Sequence, residues 1–169
     1  MSPEDKEQAG RGYELEYVAL RGEILKRIEL RQQIMSLALT IAGVFLGLGI
    51  TTGAIALVYP PLAIFLAIAW SQNDRRIYEM ALYTREHFEK VIPGLGWETY
   101  IQDKRQADAR RGRWRTTVLS HGGTFLFTQL IAIGIGLVKF SYSQGDWLLL
   151  VVDVVAVLLV IRALSQGRR

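Results

Sequence analysis

Two long apolar runs lie back to back near the start of the chain. Ile34–Ile50 carries no charge, and after Thr51–Gly53 neither does Ala54–Trp70. Together they make 37 uncharged residues. A bilayer core is crossed by roughly 20 apolar residues in helical form, so this is too long for one span. The glycines and threonines at 49–53 supply a turn, and the pattern predicts a tight hairpin. A third run covers Thr116–Val138, interrupted by His121 and Gln129. The polar segment Lys139–Asp146 ends it, and a fourth run follows over Trp147–Leu164, broken by Asp153 and closed by Arg162. Those two charges leave an interfacial or re-entrant helix open for the last run.

The polar stretches between these runs keep helical periodicity. Tyr13, Tyr17, Leu20, Ile24 and Ile28 recur every three or four residues and form one apolar face. No proline interrupts residues 4–59, so one helix from Tyr13 through the first span is expected, with Glu23 and Arg27 paired on its surface. After Trp70, the residues Ile77, Ala81, Thr84, Phe88 and Val91 repeat the pattern until Pro93. The two projecting helices should pack as a stalk, with a short helix from Trp97 to about Ala109 folding back over it. The predicted class is all-α: a polytopic membrane protein with four transmembrane helices in two hairpins and cytoplasmic helical extensions. Its divisions are a flexible N-terminus (1–12), an amphipathic helix (13–33), a first transmembrane hairpin (34–70), a cytoplasmic helical segment (71–115), a second hairpin (116–164) and a basic tail (165–169).

Charge orients this layout. Of 20 Lys and Arg residues, six lie in 1–33, ten in 71–115 and three, Arg162, Arg168 and Arg169, at the C-terminal end. Only Lys139 lies on the other side, which puts both termini and the centre in the cytoplasm and the chain in the inner membrane. Trp70, Trp114, Trp147 and Tyr142 mark span edges, where amphipathic rings favour the headgroup layer. The polar first 33 residues do not look like a cleavable signal peptide. In the run Lys104–Arg115, the side chains of Lys104, Arg105, Arg110, Arg111, Arg113 and Arg115 suit anionic lipid headgroups, at about 1 kcal/mol each. Nucleic acid fits this distribution less well. There is no cysteine, which excludes disulfides and thiol chemistry.

Inside the spans, polar side chains are candidates for function because they are costly in hydrocarbon. Asp153 is the clearest. It pairs in depth with Thr128 and Gln129 on the third run, either as a hydrogen bond holding two helices together or as a pore-lining or ion-binding group contributed by several subunits. His121 is either a further ion-binding group or a headgroup contact. Pro60 and Pro61, read as mid-span, imply a kink, either static or acting as a gating hinge or a carbonyl-lined site. Gly43 and Gly47, in a row with Ser36 and Thr40, offer a smooth helix-packing face within the chain or between chains. Glu86, His87 and Glu89 read as a solvated face, because His87 points away from the two carboxylates. No metal, cofactor or catalytic constellation is expected, and the chain does not read as an enzyme.

Tyr59-Pro60-Pro61-Leu62-Ala63, Trp70-Ser71-Gln72-Asn73-Asp74 and Gly94-Leu95-Gly96-Trp97-Glu98 resemble segments of small bacterial membrane proteins without assigned activity. Over residues 13–92 the layout of a membrane hairpin with helices extended into the cytoplasm resembles the small transmembrane effectors of antiphage systems, including the SLATT class. That resemblance implies antiviral defence by an oligomeric pore that depolarises the inner membrane. Three functions stay open: an oligomeric channel or membrane-perturbing effector, a scaffold binding a cytoplasmic protein through the stalk, and a small ion-coupled transporter. The expected partners are anionic lipid, further copies of the chain and a cytoplasmic protein.

Overall fold

A computed structural model describes the backbone of residues 3–110, 114–139 and 143–166, with side chains except at 3, 5–7, 9, 109, 110, 114–121, 165 and 166. The described residues are helical, without strands: α1 (Pro3–Gly49), α2 (Gly53–Leu57), α3 (Tyr59–Thr84, continued by a π-helical turn over Arg85–Glu89), α4 (Trp97–Arg110), α5 (Trp114–Val138) and α6 (Gln144–Gln166). Three stretches are long and apolar enough to cross a membrane: Gly10–Gly49, Gly53–Glu89 and Gln144–Leu164. The described part of α5, Gly122–Val138, is a shorter apolar helix. The protein is therefore an all-helical chain compatible with membrane insertion.

The first helix is longer than its periodicity suggested. It starts at Pro3, inside the stretch expected to fray, and runs for 47 residues. Proline suits a first helical turn because its missing amide has no partner there in any case. Past Gly49 the chain turns in three residues. The amides of Ile50, Thr51 and Thr52 bond back to Leu46 and Leu48 carbonyls at 3.1–3.2 Å. A side chain on Gly49 would sit 2.5 Å from Ala56 Cβ, so this turn closes only around glycine.

The stalk forms between α1 and the end of α3. Phe88 is buried there, with the rings of Tyr17 and Tyr13 at 5.6 and 6.3 Å. Ile24, Ala81 and Thr84 are buried on the same seam, whereas Val91, expected on it, is exposed. Polar ties flank the seam. Asn73 Nδ2 donates to the Arg27 carbonyl at 2.6 Å, Arg31 pairs with Asp74 at 2.5 Å, and the Tyr83 hydroxyl donates to Glu16 at 2.8 Å. The expected surface pair is present, with Arg27 Nη2 2.7 Å from Glu23.

Helix α4 is held at its start by Glu89. That carboxylate accepts from the Glu98 amide at 2.6 Å, the Thr99 amide at 2.9 Å and the Thr99 hydroxyl at 2.7 Å. Glu86 and His87 are exposed, as the solvated face requires, whereas Glu89 departs from it and satisfies amides that a helix N-terminus leaves free. Burial alone would raise its pKa, but these hydrogen bonds and the charge of Arg21 outweigh it, and the net shift is downward. Arg21 itself reaches α4, 2.7 Å from Glu98.

Four helical segments pack in the apolar half. Ala38, Ala67, Phe125 and Val160 form one buried cluster, and Ala42, Tyr59, Ala63 and Ala132 another. These pairings run α1 against α3 in opposite directions and α3 alongside α6 in the same direction, with α5 reversed.

Candidate functional site

The site grows from a break in the second apolar stretch. Val58 separates α2 from α3 while keeping right-handed helical dihedrals, φ −77° and ψ −22°. Pro60 and Pro61 stand in the first turn of α3, rather than within a continuous helix as the sequence suggested. The physical reason is the one that favours proline at helix starts: neither residue has an amide to offer the preceding turn, so a new helix begins there. The carbonyls of Ala56 and Leu57 consequently have no amide four residues on.

Around this break sit the polar side chains of the bundle interior. The Tyr59 hydroxyl and Thr128 Oγ1 share a hydrogen bond of 2.8 Å. Thr128 also donates toward the Thr124 carbonyl, at 2.9 Å, as threonine commonly does on a helix. One residue on, Gln129 Nε2 donates to the Pro60 carbonyl at 3.2 Å. Gln129 is 0% exposed, and its Oε1 has no hydrogen-bond partner.

Asp153 completes the set from α6. It too is 0% exposed, and neither Oδ1 nor Oδ2 has a partner. Its level follows from register. Ser71 Oγ donates to the Ala163 carbonyl at 2.9 Å, and Ala67 clusters with Val160. Carried back two turns along parallel helices, this puts Asp153 level with Pro60 and Pro61, while the contacts of α5 with α6 at Phe125 and Val160 and at Gly122 and Leu164 put Gln129 about one turn away along the bundle. Three buried oxygen acceptors without donors thus lie within about a turn of one another along the bundle. Such an arrangement suits a small cation.

Asp153, Gln129 and Thr128 are all buried in the apolar half of the bundle, and no hydrogen bond joins Asp153 to either of the other two. Enclosure within one protomer keeps Asp153 off any surface where subunits could meet. The side chains of His121, Arg110, Arg111, Arg113 and Arg115 lie outside the described residues. Lys104 and Arg105 are exposed on α4.

Gly43 and Gly47 also need correction as packing residues within the chain. Both are exposed, and a Cβ on either would meet nothing within 4 Å. Close approach is made by other glycines. A Cβ on Gly136 would overlap the Leu57 side chain, one on Gly53 would lie 2.6 Å from Lys139 Cβ, and one on Gly122 3.0 Å from Leu164 Cδ1.

Sequence reasoning missed Tyr59 and the Pro60 carbonyl as site members. The signal available was the position of Tyr59: a hydroxyl inside an uncharged run, next to a proline pair that breaks the helix.

No family model, curated protein or solved structure matches the chain. The functional reading therefore rests on its own residues.

Proposed function

We propose that this chain is a four-span inner-membrane protein, with both termini cytoplasmic, that conducts a small cation, or couples to one, through Asp153 inside its own helical bundle. The observation that carries this reading is a fully buried carboxylate with both oxygens unpartnered. A carboxylate serving only as helix glue would spend its oxygens on donors, since unpaired polar atoms in a low-dielectric interior are costly. The helix break supports the same reading, because interrupted helices in membranes put carbonyl oxygens where cations can use them. The smooth row Ser36, Thr40, Gly43 and Gly47, unused within the chain, would serve contact between copies in a homo-oligomer. A membrane-perturbing effector would use the same pathway without regulation.

The test is ion flux in liposomes containing the purified protein, under an imposed potential and under a pH gradient. Conduction or coupled uptake is expected in the wild type, with loss or changed selectivity in Asp153→Asn. Absence of flux under every potential and gradient would remove the proposal.

A second reading is favoured by one observation. Tyr13, Trp97 and Tyr100 present exposed rings on the polar half, and aromatic residues are enriched where proteins meet. As a scaffold, the chain would lose a co-purifying protein when the stalk is truncated and be indifferent to Asp153→Asn.

A further inference from the structure

The site's unpaired atoms define what kind of ligand would complete it. Gln129 has already committed an amide hydrogen to the Pro60 carbonyl, which leaves Oε1 as an acceptor without a donor. Asp153, if ionised, adds two more acceptors and no donor. An ion such as Mg²⁺ or Ca²⁺ takes about six or more oxygen ligands, usually with water or several carboxylates among them. Asp153 and Gln129 are both shut off from solvent at 0% exposure, and no group of three or more His, Asp or Glu side chains able to hold a metal occurs among the described residues. One proton changes the count at once: it converts an Asp153 oxygen into a donor and removes the charge from the interior.

We infer that the ligand of this site is a proton, carried on Asp153 as the neutral acid and hydrogen-bonded to Gln129 Oε1, giving a chain from Asp153 through Gln129 to the Pro60 carbonyl. This deepens the cation reading above and rests on it for any role in transport, though not for the protonation itself. On release, the proton leaves an Asp153 oxygen for water and the carboxylate remains. The surroundings contain little that could compete. From α3, Tyr59 is the one ionisable side chain between Tyr59 and Asn73, and its hydroxyl is engaged with Thr128. Neither α2 nor the stretch Gly122–Val138 of α5 carries an ionisable side chain. On α6 itself the charged neighbours are Asp146 and Arg162, about two turns away on either side. The helix break gives the proton a mechanical consequence, because the Pro60 carbonyl that anchors Gln129 belongs to the first turn of α3.

The proposal is tested by infrared difference spectroscopy of the full chain in lipid bilayers near neutral pH. A carbonyl stretch of a carboxylic acid is expected, shifted by ¹³C labelling of aspartate and by exchange into D₂O. It should vanish in Asp153→Asn, which mimics the neutral acid in shape and so should still fold. In Gln129→Leu the band should move to the frequency of a less strongly hydrogen-bonded acid. Labelling needs no substitution, so the wild type alone decides the point if either variant fails to fold. A spectrum with no aspartic acid band near neutral pH overturns the proposal. So does a band abolished by replacing choline with sodium at constant pH, which would assign the site to a metal cation. Flux without an acid band would leave the cation reading standing and remove the proton. An acid band without flux would do the reverse.

Discussion

Gly136 gives the sharpest test of how the helices pack. It faces Leu57 in α2, and an added Cβ would overlap the Leu57 side chain, approaching its Cγ to 2.5 Å. Leu57 is 1% exposed and therefore hemmed in. Forcing a methyl group into a filled interior costs about 1–3 kcal/mol. Gly136→Ala should therefore lower the unfolding free energy by that amount, raising the unfolding equilibrium constant roughly 5- to 150-fold at about 1.4 kcal/mol per factor of ten. Gly134→Ala is the internal control. It adds the same methyl to a helix where nothing lies within 4 Å, so helix propensity alone should act, neutral to favourable by up to about 1 kcal/mol. Leu57→Ala alone should cost about 2–5 kcal/mol. Combined with Gly136→Ala it should cost less than the sum, because the truncated side chain makes room. A coupling of about 0.5–3 kcal/mol is the expected signature of direct contact. The assay is reversible unfolding in mixed micelles or steric trapping in bilayers, on the wild type and all four variants. If Gly136→Ala and Gly134→Ala behave alike, and the double variant is additive, α2 and α5 do not meet at Leu57 and the register built on them fails.

Three further outcomes are expected. Phe88→Ala should destabilise the stalk by about 3–5 kcal/mol, seen as faster hydrogen exchange over the polar half of α1 while the apolar half stays protected. The Glu89 cap should respond to acid with a definite sign. Its pKa is held below the ordinary 4.5, so its contribution is complete above that value and is lost as pH falls through the lower folded value. Exchange at the Glu98 and Thr99 amides should accordingly rise only in that acidic window, and Glu89→Gln should remove the dependence. Reporter tags at Thr51 and Ser143 should be reached only from outside the cell, and tags at Trp97 only from the cytosol. Accessibility of Thr51 from the cytosol would defeat the four-span reading.

The polar half of the protein was readable in its sequence and the apolar half only in outline. In the stalk, Tyr13, Tyr17 and Phe88 recur against a charged background, so the buried face stands out by contrast. Glu23 and Arg27 follow from spacing alone. Along the apolar stretches every face is greasy, since lipid and protein neighbours are equally apolar, and periodicity no longer tells which side is packed. Gly43 and Gly47 therefore looked like contact residues although Gly49, Gly53 and Gly136 make the close approaches. Thr128, Gln129 and Asp153 stood out because polar atoms there are rare. Their partners did not: the Pro60 carbonyl is a backbone atom, and Tyr59 reads as one more ring in an uncharged run. Glu89 was misread for a related reason, since its hydrogen bonds go to amides nine and ten residues away.

One helix of 47 residues is about 70 Å long, more than twice the roughly 30 Å of a hydrocarbon core. In the proposed topology such a rod would act as a lever with its fulcrum in the lipid. Thinning or thickening of the bilayer that changes its tilt must swing the far tip through a larger arc than the buried end. The ties from Arg21, Asn73 and Asp74 would carry that swing to the neighbouring helices. Membrane thickness would thereby be written into the position of the surface that the polar half presents.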